Sequence, residues 1–386
     1  MKRPLRVMWL GLRGFPDVQG GVEAHAQHLC PLLADLGCEI TVIARSRYQP
    51  SDAAWRGVHF VRLWSPRSSR MEAVVHSFAG VLHAALKRPD ILHIQGIGPS
   101  LAAPLARILG LRVVVTHHGP DYQRQKWGWL ARTALRLGER WGMRYACQRI
   151  VITGAIQNAV NRLYGKPSVV IPNGVAMPAD GMTTATPNAY GLTAGHYALL
   201  VGRLVPEKRH HDLIRAFAIA SLPGWKLVIV GGADHPDAYS QSVLDVPTTC
   251  PEVVCTGFLA GRALAELYAN AGVFVLPSSH EGLPIAMLEA VSHGVSVIAS
   301  DIPANQEVDC DMVSHYPLGD VAALTQRLRQ AAASGATDAM RDAGKALVAG
   351  RYSWPKIARL TLAVYRSAMQ PQAAQDDRQN AERQGV

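Results

Sequence analysis

The apolar positions of this chain fall into short, nearly continuous blocks separated by longer stretches of mixed polarity. In the first half the blocks are LRVMWLG, EITVIA, VHFVRL, ILHIQG, RVVVTHHG, RIVITG and SVVIPNG. In the second half they are YALLVG, KLVIVGG, EVVCTG, VFVLPSS and VSVIAS. They are dense in Val, Ile and Leu and do not alternate apolar with polar. A strand solvated on one face alternates; a strand covered on both faces, as in a parallel sheet flanked by helices, does not. Helix-like segments such as VEAHAQHLCPLLADLG and PSLAAPLARILG lie between the blocks. This repeated alternation predicts an α/β fold.

The rhythm pauses at residues 176–195, AMPADGMTTATPNAYGLTAG, where Pro, Gly, Thr and Ala dominate as in a linker. A fresh series starts at Tyr197. The pattern predicts two doubly wound, Rossmann-like domains, residues 1–175 and 190–352, facing a central cleft. Ligands in such sheets bind outside the carboxyl ends of the strands. The polar stretch 371–386 reads as disordered.

Composition narrows this picture without changing it. At 386 residues the chain has room for two domains. Hydrophobic residues make up 48% and charged residues 18%, ordinary values for a globular protein. No apolar block reaches the roughly 18 residues of a membrane span. The opening MKRPLRVMWLGLRGF has a basic start and an apolar run. Arg6 and Arg13 interrupt that run and no small-residue cleavage site follows, so it reads as a first strand. The six cysteines, Cys30, Cys38, Cys147, Cys250, Cys255 and Cys310, form no C-x-x-C pair. That argues against a zinc ribbon or disulfide framework and fits a reducing cytoplasm.

Charge is unevenly placed. Residues 1–175 hold 23 Lys and Arg against 9 Asp and Glu; the rest of the chain holds 16 against 20. The basic half is expected to face an anionic partner. Its richest stretch contains Arg124, Lys126, Arg132, Arg136, Arg140, Arg144 and Arg149, interleaved with Trp127, Trp129 and Trp141. On a helix, Leu130, Ala134, Leu137 and Trp141 form one stripe, with most arginines on other faces. Two readings stay open: an anionic bilayer interface with the chain peripheral on the inner face of the cell membrane, or a helix packed on its own domain with a solvated basic face. No helix-turn-helix, zinc-finger or RRM signature accompanies the charge, so no nucleic-acid partner is expected.

Four segments carry candidate chemistry. In LPSSHEGLPIAMLEAVSHG a strand ends at Leu276 and a loop leads to a helix starting near Pro284, with Glu281 before it and Glu289 about two turns on. Free N–H groups around Gly282 and Leu283, aided by the helix dipole, make a place for phosphate. The carboxylates then make sense as acceptors of hydroxyl hydrogen bonds from sugar and ribose. In LLVGRLVPEKRHHDLIRAF, Arg203 and Lys208 are five apart across a loop, cations able to compensate a departing diphosphate without a metal. In GLRGFPDVQGGVEAHAQHL, Gly20 and Gly21 allow close backbone approach to a ligand. In VVVTHHGPDYQRQKWG, His117 and His118 stand at the carboxyl end of a strand.

HEGLPIAMLEA resembles the E-x7-E motif of the family 4 retaining glycosyltransferases, and the following SDIPANQEV strengthens the likeness. The resemblance implies a GT-B fold in which Glu281 lies beside the donor sugar and Glu289 holds the ribose hydroxyls. It likens Arg203 and Lys208 to a G-R-x(4)-K diphosphate-binding pattern and Gly20-Gly21 to a GG-x-E loop near the donor phosphate and acceptor. His118 corresponds to a His-Gly contact to the donor sugar, His117 being the extra, packed one. HGPDYQRQKWG is similar to a bacterial subgroup that makes surface polysaccharides. RYSWPKIARLTLAVYRSA resembles a closing helix, over 355–370, that crosses back to the first domain.

The implied activity is metal-independent hexosyl transfer: a hexose or deoxyhexose moves from a nucleotide-diphosphate sugar, UDP or GDP, to a glycan or polyprenyl-linked acceptor. No further cofactor is required. A nucleotide-sugar 2-epimerase or sugar-phosphate synthase of the same fold is the runner-up. Asp309-Cys310-Asp311 spells the D-x-D of metal-dependent transferases but reads as an exposed loop. Gly96-x-Gly98 and Gly231-Gly232 do not complete the dinucleotide fingerprint of a dehydrogenase.

Overall fold

The computed structural model describes residues 3–51, 53–67, 71–123, 128–233 and 236–370. Arg124, Lys126, Trp127 and the 371–386 tail lie outside the described residues. The chain divides into two compact units: Met1–Val18, Val22–Pro172 and Trp354–Val386 in the first, Gln19–Gly21 and Asn173–Ser353 in the second.

The first unit is built on seven strands: β1 (Leu5–Leu10), β2 (Cys38–Arg45), β3 (Val58–Leu63), β4 (Ile91–Gln95), β5 (Val113–His117), β6 (Gln148–Val151) and β7 (Val169–Val170). They pair in parallel in the order β3-β2-β1-β4-β5-β6-β7. The order reverses between β1 and β4, which makes that gap the switch point where ligand loops diverge. β4 and β5 are buried at every position, the polar His93, Gln95, Thr116 and His117 included. The helix Trp354–Ala368 packs in the same core through Trp354, Ile357, Leu362 and Tyr365.

One helix of this unit packs differently from its sequence pattern. Along Trp129–Tyr145 the buried residues are Gly138, Glu139, Gly142 and Met143. Leu130 is 66% exposed and Leu137 37%. The two glycines explain the difference. A Cβ on Gly138 would sit 2.2 Å from the Ile97 carbonyl oxygen, and one on Gly142 would sit 2.8 Å from Ser100 Cβ. Close backbone approach therefore sets the buried face, and the leucine stripe turns outward over much of its length.

The second unit carries β8 (Tyr197–Val201), β9 (Lys226–Val230), β10 (Val253–Gly257), β11 (Val273–Leu276), β12 (Val297–Ser300) and β13 (Val313–Tyr316). They are parallel in the order β10-β9-β8-β11-β12-β13, with the switch point between β8 and β11. All twelve apolar blocks form strands. β13 is the addition, a half-buried edge strand paired only with β12.

Candidate active site

In the second unit the loops after β8 and β11 leave the switch point side by side. Ser279, after β11, donates its N–H to the Glu207 carbonyl at 2.8 Å, lacing one loop to the other. Lys208 Nζ then meets Glu281 Oε1 at 2.5 Å, with the two side chains only 17% and 13% exposed. An ammonium has three donors, so Lys208 keeps two after bonding Glu281. Gly202 clears the way: a Cβ there would touch Lys208 Cε at 3.0 Å. Gly231 has φ +144° and a Cβ on it would fall 1.9 Å from the Gly202 carbonyl oxygen. Gly231-Gly232 is thus a packing device beneath this loop.

After Glu281 the chain enters the helix Ile285–Ser292, with Pro284 as its N-cap. The Pro284 carbonyl accepts from the N–H groups of Met287 and Leu288. Buried Asn173 donates to the Leu283 carbonyl at 3.0 Å and fixes the turn. Among the described residues, the N–H groups of Gly282 and Leu283 have no hydrogen-bond partner. Such donors at a helix start attract anions. Glu289 lies within the helix and its Oε2 accepts from Tyr268 Oη at 2.9 Å. Burial pushes the Glu289 carboxyl up to about 7, against a lowering by that hydrogen bond. The buried Tyr268 ring is in turn stacked on His293.

In the first unit His118 follows β5. Its Nε2 lies 2.8 Å from Gln95 Oε1, at the end of neighbouring β4, and its ring meets His25 edge-on at 5.1 Å. Burial, then nearby His93 and His117, lower His118 to about 3, so it is a neutral imidazole. His117 is buried and structural. Gly119 N–H donates to its Nδ1 at 3.1 Å, leaving Nε2–H to donate to Glu139 at 2.8 Å. Glu139 also accepts from Tyr164 Oη at 2.8 Å. Near the glycine pair, Glu23 is buried and accepts from Arg13 Nε at 3.0 Å. Gln19–Gly21 belong to the second unit.

The structure thus brings Lys208 and Glu281 into contact and sets Gly282, Leu283 and Glu289 in the same strand–loop–helix segment. Arg203 shares the β8 loop with Lys208, and His118 stands on the other unit's sheet. Sequence motifs missed Tyr268, Gln95, Asn173 and Glu139, each of which holds a motif residue in place. The missed residues lie far along the chain from their partners and carry no local signature. Asp309 and Asp311 are exposed in the loop before β13. Among the described residues no three His, Cys, Asp or Glu side chains group as a metal site.

Comparison with known proteins places the chain in a family. Two family models match consecutive parts of the chain: Glycosyltransferase Family 4 over residues 19–177 and Glycosyl transferases group 1 over residues 189–346. The alpha-maltose-1-phosphate synthase of Mycobacterium tuberculosis is 25% identical, over 94% of this chain and 99% of that protein. The 2-deoxystreptamine N-acetyl-D-glucosaminyltransferase of Streptomyces fradiae is 26% identical over 84% of each. Among solved structures, sucrose-phosphate synthase from Thermosynechococcus elongatus superposes with TM-score 0.79 at 20% identity, over 94% of this chain and 98% of that one. Anabaena Alr3699/HepE in complex with UDP and glucose gives 0.77 at 17%, over 94% and 100%. The fold is the α/β GT-B fold of glycosyltransferases. Within that class, the chain belongs to glycosyltransferase family 4.

Proposed function

We propose that the chain is a retaining, metal-independent hexosyltransferase. Its donor is a UDP- or GDP-linked hexose or deoxyhexose and its acceptor a glycan or polyprenyl-linked glycan. The observation that carries this reading is the Lys208–Glu281 contact across the β8–β11 switch point. It joins a diphosphate-binding cation to a carboxylate suited to a sugar hydroxyl. Glu289, held by Tyr268, supplies an acceptor for ribose hydroxyls.

As the sugar–phosphate bond breaks, negative charge grows on the leaving diphosphate. Arg203, Lys208 and the N–H groups of Gly282 and Leu283 take it up, a stabilisation greatest in the transition state. Glu281 orients the sugar and keeps Lys208 in position. His118 offers a neutral hydrogen-bonding group to the sugar. A phosphate oxygen on the leaving side accepts the acceptor's proton, so attack comes from the face of departure and configuration is retained. That UDP and UDP-glucose occupy HepE structures supports a nucleotide-sugar donor.

The experiment is a thermal-shift screen against UDP, GDP, ADP and dTDP, followed by donor turnover with and without glycan acceptor in EDTA. A ligand that binds the native state raises its midpoint. Absence of any nucleotide shift, or turnover that EDTA abolishes, overturns the donor or the metal-free part respectively. The whole-length likeness to a maltose-1-phosphate synthase supports a second reading, in which the acceptor is a sugar phosphate. Turnover stimulated by a hexose 1-phosphate and not by a lipid-linked glycan selects it. We also propose a cytoplasmic enzyme, peripheral on an anionic membrane surface, on the strength of the basic first half. No helix among the described residues is long and apolar enough to cross a membrane.

A further inference from the structure

The helix Trp129–Tyr145 presents Arg132, Arg136, Arg140 and Arg144, four residues apart and all exposed. Residues at that spacing are neighbours on a helix, and like charges there oppose its formation. The helix has one acidic residue, Glu139. Both Glu139 oxygens are committed inward, Oε1 to His117 and Oε2 to Tyr164, each at 2.8 Å. The arginines are left with no carboxylate of their own helix to bond.

The helix Gly154–Tyr164 ends beside them. Gly165, at φ 58°, caps it in the left-handed conformation, and Lys166 follows. Arg140, Arg144, Leu163, Tyr164 and Lys166 together line a pocket of about 310 Å³. It shares no residue with the donor-site set. Among the described residues, none of the three cations in it has an ion-pair partner. Tyr164 is engaged by Glu139 and fixes one wall. Apolar surface adjoins the cations: Leu163, in the pocket lining, is 59% exposed, and Leu137, one turn before Arg140 on the helix, 37%. Three uncompensated cations in a concavity fit a phosphate group. Exposed leucines beside them fit an apolar chain attached to it.

We infer that this pocket binds the phosphate headgroup of an anionic lipid and docks the first unit on a membrane. The inference rests on the membrane-surface reading above and gives it a defined site. The test uses the full chain and flotation with vesicles of phosphatidylcholine, with and without phosphatidic acid. Arg140→Glu, Arg144→Glu, Lys166→Glu and the milder Arg144→Gln are compared with Arg112→Glu, an exposed position of the same unit outside the pocket. The substituted residues are exposed, so wild-type thermal midpoints are expected throughout. Wild type floats with phosphatidic acid only. Each pocket reversal weakens this roughly tenfold or more, while Arg112→Glu stays near wild type. Equal loss in Arg112→Glu means diffuse charge and overturns the site. No preference for phosphatidic acid overturns it too. A thermal shift from inorganic phosphate that Arg144→Glu abolishes, without vesicle binding, means a soluble phosphate ligand and also overturns the lipid assignment. Nucleotide thermal shifts in the same variants are expected unchanged. Their absence even in wild type sinks the transferase reading and leaves the flotation result standing.

Discussion

Lys208 and Glu281, 73 residues apart in sequence, meet at 2.5 Å where the loops after β8 and β11 leave the second sheet. Each stands in a separate motif, and the contact makes them one unit. Replacing Lys208 by Ala removes a donor from the developing diphosphate charge and the ammonium that bonds Glu281 beside it. Loss of one such preorganised donor costs about 10²–10³ in kcat. Lys208→Ala is therefore expected to fold, with turnover down by about that factor. Glu281→Gln keeps a hydrogen-bond acceptor for the sugar and is expected to lose less. Single-turnover rates with a hexose donor check the order; a Lys208→Ala enzyme at wild-type rate removes its proposed role.

Tyr268 is a positioning residue for Glu289. Its hydroxyl occupies Oε2 and leaves the carboxylate aimed by one fixed bond. Tyr268→Phe keeps the buried ring and its stack on His293 while deleting the bond. Because a hydrogen bond to a charged group is worth about 1.5–3 kcal/mol, nucleotide affinity is expected to fall by between about tenfold and about 150-fold. The informative readout is selectivity. If Glu289 holds ribose hydroxyls, wild type prefers UDP to dUDP and Tyr268→Phe narrows that preference. A purely structural tyrosine leaves the ratio untouched.

Strands were legible because both faces of β4, β5, β8 and β9 are covered, which favours nearly continuous apolar runs. β13 was not, because VSHY is a half-buried edge strand with no such run. The Trp129–Tyr145 helix was legible as a helix, but its buried face was not. Period alone points to the leucines, whereas Gly138 and Gly142 permit a closer approach than any side chain. At the site, loop motifs named Glu281, Glu289, Arg203, Lys208 and His118. Tyr268 and Gln95 reach Glu289 and His118 across 21 and 23 residues, and Asn173 reaches the neighbouring Leu283 carbonyl across 110. Only folding sets such partners side by side.

Two glycine-to-alanine substitutions separate packing from helix propensity. Alanine favours a helix interior over glycine by about 1 kcal/mol. At Gly138 the added Cβ would meet the Ile97 carbonyl oxygen at 2.2 Å, and overpacking of that kind costs about 1–3 kcal/mol. Packing wins, so Gly138→Ala is expected to lower the thermal midpoint. At Gly350, in the helix Asp338–Arg351, nothing lies within 4 Å of the new atom. Gly350→Ala is expected to raise the midpoint slightly. Opposite signs in calorimetry support the close helix approach; two increases refute it.

Glu289 links stability and donor binding to pH. Burial raises its carboxyl from the ordinary 4.5 to about 7 in the folded chain. Between those values the folded protein holds a proton that the unfolded chain has released. Stability is fully supported by that proton below about 4.5 and falls as pH rises through about 7. Glu289→Gln, which stays neutral, lacks this component. Its thermal midpoint relative to wild type should therefore climb from about pH 5 to about pH 8. Ribose hydroxyls donating to the carboxylate favour its charged form, so nucleotide affinity should rise over the same window. His118, held near 3 by burial, remains neutral throughout and contributes no slope there. Melting curves and nucleotide titrations of wild type and Glu289→Gln, run in parallel buffers, measure both effects. Parallel curves for the two proteins would show that Glu289 ionises in the ordinary carboxylate range and stands outside the donor's proton linkage.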